Sequence, residues 1–79
     1  MNKQDTRYVK LQGILKGLRK EQGIRQQELA DRLGLPQSYV SKYESGERNI
    51  DLVELMDIVK FLELESSKVI PKLVASLSE

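Results

Sequence analysis

Four polar side chains within one short stretch, Gln37, Ser38, Ser41 and Lys42, carry the most suggestive chemistry in the chain. If the stretch is helical, Val40 and Tyr43 turn inward and these four point out. A glutamine amide can pair bidentately with adenine, a lysine ammonium can donate to guanine O6 and N7, and a serine hydroxyl can serve several bases. The same residue types also coat ordinary solvated helix faces, so the surrounding elements must decide between the two readings.

Other kinds of chemistry find little support. The chain has no histidine and no cysteine, so it lacks the commonest general base, the commonest metal ligand and every Ser-His or Cys-His nucleophile pair. Ser41 and Lys42 are adjacent and diverge on a helix, so they make no catalytic dyad. No metal-ligand cluster or phosphate-cradling glycine loop is evident. With 79 residues there is little room for a deep pocket. The expectation is binding without catalysis, with no metal, no cofactor and no small-molecule ligand.

The elements that must hold the four polar residues are helices punctuated by breakers. A first helix is expected from Asp5 or Thr6 to about Gln22, ending at Gly23, with Tyr8, Leu11, Ile14, Leu15 and Leu18 toward the core. Gly13 and Gly17 inside it predict a close backbone approach or a weak first turn, and residues 1–4 are expected to fray. A second helix fits Gln26–Leu33. Arg25 is its cap, Ile24 and Leu29 the staple, Glu28 reaches back to the cap N–H, and Gly34 stops the helix. A third spans about Gln37–Glu44, entered through Pro36 and closed by Ser45-Gly46. Asp51 and Glu54 have capping-box spacing for a fourth, whose stripe is Leu52, Leu55, Met56, Val59 and Leu62. Ser66-Ser67 caps a fifth, with Pro71 near its start and an apolar stripe of Ile70, Leu73, Val74 and Leu77.

Two short helices joined by about four residues containing Gly34 have the spacing of a helix-turn-helix, here about 26–46. Leu29 and Leu33 face the core, and the small Ala30 lets the helices cross closely. The run LRKEQGIRQQELADRLGLPQSYVSKYESGERNIDLVELMDIVKFLEL, residues 18–64, resembles the phage-repressor and Cro family of helix-turn-helix regulators, also called the Xre type. The most specific pieces are Gln26 with Glu28-Leu29-Ala30, Leu33-Gly34, and Ser41-x-x-Glu44-x-Gly46.

That resemblance implies an all-α, compact five-helix lambda-repressor-like domain occupying residues 1–79 as a single unit. It also implies double-stranded DNA as the partner and a transcriptional regulator as the function. On the matching positions, Gln37, Ser38 and Lys42 are base readers and Ser41 touches base or phosphate. Gln26, Arg48 and Asn49 match positions that grip the DNA backbone, and Arg19 and Glu44 match a structural salt bridge. Arg25 stands where the family has Ser or Thr and offers a charge-assisted phosphate contact instead. Pro36 replaces the usual capping residue at the recognition-helix entrance.

Family members bind pseudo-palindromes as dimers, with recognition helices about 34 Å apart. The candidate interface here is the last helix, about 66–79, through Ile70, Leu73, Val74 and Leu77; the same stripe also serves to complete the monomer core. Charge is divided along the chain. Residues 1–50 carry ten Lys/Arg against six Asp/Glu, and residues 51–79 carry three against six. The basic half suits a polyanion. No apolar run approaches the roughly 20 residues needed to span a bilayer, and the N-terminus lacks a secretory pattern, so a cytoplasmic homodimer away from membranes is expected. The alternative is a protein-interaction module or antitoxin-like adaptor on the same fold. Glu47 and a modest +4 in the first half leave room for it.

Overall fold

Asp5 starts the first helix, its carboxylate accepting from the Arg7 backbone N–H at 2.9 Å. The structure, a computed structural model, describes residues 5–78. The expected fraying of residues 1–4 and the last position of the predicted C-terminal helix lie outside the described residues. Among the described residues five helices follow in order: α1 (Thr6–Glu21), α2 (Gln26–Leu33), α3 (Gln37–Ser45), α4 (Leu52–Phe61) and α5 (Ser66–Leu77). Among the described residues there is no strand.

The helix ends obey local chemistry. Gly34 closes α2 at φ 71°, and Gly46 closes α3 at φ 88°. In each case the residue after the glycine donates its N–H back into the helix, Leu35 to the Ala30 carbonyl and Glu47 to the Lys42 carbonyl, both at 2.9 Å. The capping box at α4 forms as the spacing predicts. Glu54 N–H donates to Asp51 Oδ1 at 2.7 Å, and Asp51 N–H donates to Glu54 Oε1 at 3.0 Å.

Leu15, Leu29, Ala30, Val40, Tyr43, Ile58, Val59 and Leu62 are fully buried. Leu11, Ile14, Leu18, Leu33 and Leu55 pack around the core more shallowly. Each large side chain removed from water contributes roughly 1.5–3 kcal/mol. Burying Leu29 and Ala30 of α2 together with Val40 and Tyr43 of α3 fixes the angle between the two motif helices, and hence which face of α3 looks out.

Several details depart from expectation. No other element packs closely enough on Gly13 or Gly17 to require a glycine. Beyond the helix's own backbone, a Cβ at either would meet no atom within 4 Å, and α1 runs unbroken through both. Glu28 does not reach the Arg25 N–H; it pairs with Arg32 one turn on, at 2.9 Å, so α2 starts without a side-chain cap. The α4 stripe is rotated from the predicted one. Ile58 joins Val59 and Leu62 in the core, while Leu52 and Met56 lie exposed at its edge. The cap of α5 is Glu65 rather than the serine pair, because Ser66 is already helical. Leu73 is 4% exposed and belongs to the core, so its surface is spent inside the monomer.

Candidate nucleic-acid interface

The outer face of α3 is made by elimination. Val40 and Tyr43 are fully buried three residues apart, and the helix period leaves Gln37, Ser38, Ser41 and Lys42 exposed. The structure thus brings all four predicted readers to one solvent-facing surface.

Gln37 is not isolated there. Its Nε2 lies 3.4 Å from Gln26 Oε1, and Gln26 Nε2 donates to Glu44 Oε1 at 2.9 Å. Glu44 in turn accepts from Arg19 Nε at 2.7 Å and Nη2 at 3.0 Å, and Arg19 Nη1 donates to the Ile24 carbonyl at 2.7 Å. The chain of contacts therefore runs from buried charges in α1 and α3 out to a glutamine at the start of α3. The Arg19 and Glu44 side chains are only 8% and 2% exposed, which makes this a buried bidentate pair. The Glu44 hydrogen bonds hold the Arg19 guanidinium above its ordinary pKa, against the opposing effect of burial.

At the start of α2, Arg25 lies extended (φ −79°, ψ 159°) and provides no side-chain cap. The first N–H groups of the helix keep no side-chain acceptor from Arg25, the condition under which a helix start attracts a phosphate. Arg25 is itself exposed beside the half-buried Gln26.

In the α3–α4 loop, Arg48 lies over the Tyr39 ring, its guanidinium carbon 4.9 Å from the centroid. It also makes a close ion pair with Glu54 Oε2, and Tyr39 donates its hydroxyl to that same oxygen at 2.8 Å. Burial raises the Glu54 pKa, but donors from Asp51, Arg48 and Tyr39 outweigh it and hold the carboxyl below its ordinary value. Asn49 is half-buried, with its carboxamide oxygen inside and without a protein hydrogen-bond partner. A phosphate needs donors, so the buried oxygen is the end that a backbone contact does not use.

Of the predicted interface positions, Val74 is 57% exposed, and Ile70 and Leu77 are half-buried. Val74 and Leu77 line a groove of about 340 Å³ with Tyr8 and Leu11 of α1. The sequence alone does not mark Tyr39, and it marks Glu54 only as a cap partner. The capping-box spacing flagged the carboxylate, but its partners in α3 and the loop are tertiary. Among the described residues no group of acidic side chains is placed to hold a metal, and no helix is long and apolar enough to cross a membrane.

A helix-turn-helix family model matches residues 15–69. Among solved structures, the chain is similar to an XRE-family like protein from Pseudomonas syringae pv. tomato, with 41% identity, TM-score 0.84, and 92% of this chain and 89% of that one covered. It is also similar to the wild-type restriction-modification controller protein C.Esp1396I, with 27% identity, TM-score 0.79, and 92% and 95% covered. The clp gene regulator ClgR from Corynebacterium glutamicum shares the fold at 22% identity, with TM-score 0.72 over 91% of this chain and 76% of that one. Comparison with curated protein sequences found no match.

Proposed function

The chain belongs to the XRE-type helix-turn-helix family, and on that premise we propose that it is a sequence-specific DNA-binding transcriptional regulator acting as a homodimer on a pseudo-palindromic operator. The observation that carries this reading is the exposed quartet Gln37, Ser38, Ser41 and Lys42 on a helix whose opposite face is locked by Val40 and Tyr43. The similarity to a restriction-modification controller protein supports regulation as the purpose of that surface.

The mechanism is binding. Lysines and arginines of the basic half draw the protein to DNA and release counterions. Gln26 and Arg25 at the start of α2, with Arg48 and Asn49 in the α3–α4 loop, set the register on phosphates. Gln37, Ser38 and Lys42 read base edges in the major groove, with Ser41 reaching base or phosphate. Ile70, Val74 and Leu77 of α5 form the dimer contact. The described residues serve as one domain that binds without catalysis.

A second reading, an interaction module on the same fold, draws on Leu52, Val53 and Met56, which expose apolar surface along α4. One experiment separates the two. Purified protein is incubated with a pool of genomic duplexes at two salt concentrations, and the bound fraction is sequenced. Enrichment of a palindromic site with half-sites one helical turn apart, weakened by salt, supports the regulator. No enrichment by folded protein at either salt favours the interaction module.

A further inference from the structure

Three elements converge on one carboxylate: Tyr39 from α3, Arg48 from the loop and Glu54 from α4. Glu54 uses Oε1 to accept the Asp51 backbone N–H and Oε2 to accept the Tyr39 hydroxyl and the Arg48 guanidinium. Capping alone does not need its charge, because Gln serves equally at that position of a capping box. A negative charge beside a DNA-facing loop should also weaken binding to a polyanion. What the charge does in this structure is hold Arg48.

Resting on the DNA-binding reading above, we propose that Glu54 is a positioning residue that fixes Arg48 against the Tyr39 ring and aims it at the DNA backbone. The ring covers one flat side of the guanidinium and Glu54 takes one edge. Yet the Arg48 side chain remains 46% exposed, and a guanidinium has five donors in a rigid fork, so donors remain for a phosphate. The Glu54 side chain is half as exposed, at 23%, and is held by Asp51 and Tyr39 independently of Arg48. The carboxylate is thus the fixed partner and the arginine the one that is oriented. Tyr39 lies between Ser38 and Val40, so the arrangement ties the phosphate contact to the same helix that presents the readers.

The sign of one substitution tests this. Glu54→Gln keeps an oxygen for the Asp51 N–H of the capping box, but removes the charge and replaces the oxygen that Tyr39 and Arg48 share with an amide NH2 group. If Glu54 merely competes with phosphate for Arg48, the variant binds DNA more tightly. If it positions Arg48, the variant binds more weakly, by roughly threefold to tenfold, the scale of one ordinary hydrogen bond.

Binding would be measured by fluorescence anisotropy on a mixed-sequence DNA duplex across a salt series, for the wild type, Glu54→Gln, Arg48→Ala and the double variant. The expected result is weaker binding by Glu54→Gln, a log–log salt slope shallower by up to about 0.9, and no further loss when Arg48 is already alanine. Equal or tighter binding by Glu54→Gln overturns the inference, as does an equal loss in both arginine backgrounds, which marks a structural role. If the wild type itself fails to bind any duplex, the regulator reading falls and takes this inference with it.

Discussion

Arg19 and Glu44 join α1 to α3 through two parallel hydrogen bonds, 2.7 and 3.0 Å long, while Gln26 holds the same carboxylate at 2.9 Å. The pair is buried, so each charge depends on the other for solvation. It also lies directly behind the surface proposed to meet DNA, and effects on folding and on binding are easily confused there.

Glu44→Ala is expected to cost about 3–5 kcal/mol of stability, because it strands a buried guanidinium. In a domain this small that is a large fraction of the total. Urea unfolding checks the loss. DNA binding by this variant should disappear in step with the folded fraction, whereas a fully folded, non-binding Glu44→Ala protein would contradict the structural role.

Tyr43 fills the core with no exposed surface, yet its hydroxyl has no protein hydrogen-bond partner. Burial first, then the neighbouring Glu44 charge, pushes its phenol far above the usual range. Tyr43→Phe removes only the unsatisfied group, whose burial costs roughly 1–3 kcal/mol. The variant should be as stable as the wild type or more so in a denaturant titration. A loss above about 1 kcal/mol, the scale of a made hydrogen bond, would show that the hydroxyl is satisfied after all.

Tyr39 gives a pH dependence. Burial, then its hydrogen bond to Glu54, pushes the phenol up to about 12, whereas an unfolded tyrosine ionises near pH ~10. The folded state therefore favours the protonated form. Its contribution is complete below pH ~10 and is lost as pH rises toward about 12. Thermal melts across the alkaline range should show the midpoint falling in that window. Tyr39→Phe should lessen the fall, with Tyr43 responsible for what remains; an unchanged fall would contradict the assignment.

Glu63 ends α4 in the left-handed region, at φ 63°. Its N–H donates to the Lys60 carbonyl and the Leu64 N–H to the Val59 carbonyl, the pattern that glycine serves at the ends of α2 and α3. A non-glycine residue there costs roughly 1–2 kcal/mol, partly offset by the unfolded-state freedom that glycine brings. Among the described residues the ion pair given up, with Arg32 at 3.9 Å, is exposed and contributes little. Glu63→Gly should raise stability by a few tenths to about 1 kcal/mol in a thermal or urea melt. A lower midpoint would show that Glu63 is not strained.

What the sequence revealed followed the range of the forces involved. The bounds of α2 and the glycine stops at Gly34 and Gly46 were legible because caps and staples act within a few residues. The outward face of α3 was legible because Val40 and Tyr43 claim the other side. The Glu28–Arg32 pair was missed because two local partners compete for one carboxylate, and the i,i+4 arginine wins over the cap N–H. The stripe of Ile70, Leu73, Val74 and Leu77 reads as core and interface together, and only the structure puts Leu73 in the core, because a stripe on one helix does not say which helix covers it. Tyr39, Arg48 and Glu54 meet only through the tertiary fold, so only the Asp51–Glu54 spacing hinted at that cluster.

Base reading by α3 is tested by comparing the DNA sites selected by the wild type with those selected by Gln37→Ala and Lys42→Ala. If α3 reads bases through these side chains, each variant stays folded and recovers the same palindrome with one or two positions relaxed in both half-sites, a discrimination of about 1–3 kcal/mol per bidentate contact. If both variants recover the wild-type site unchanged, the exposed face of α3 is not the reader.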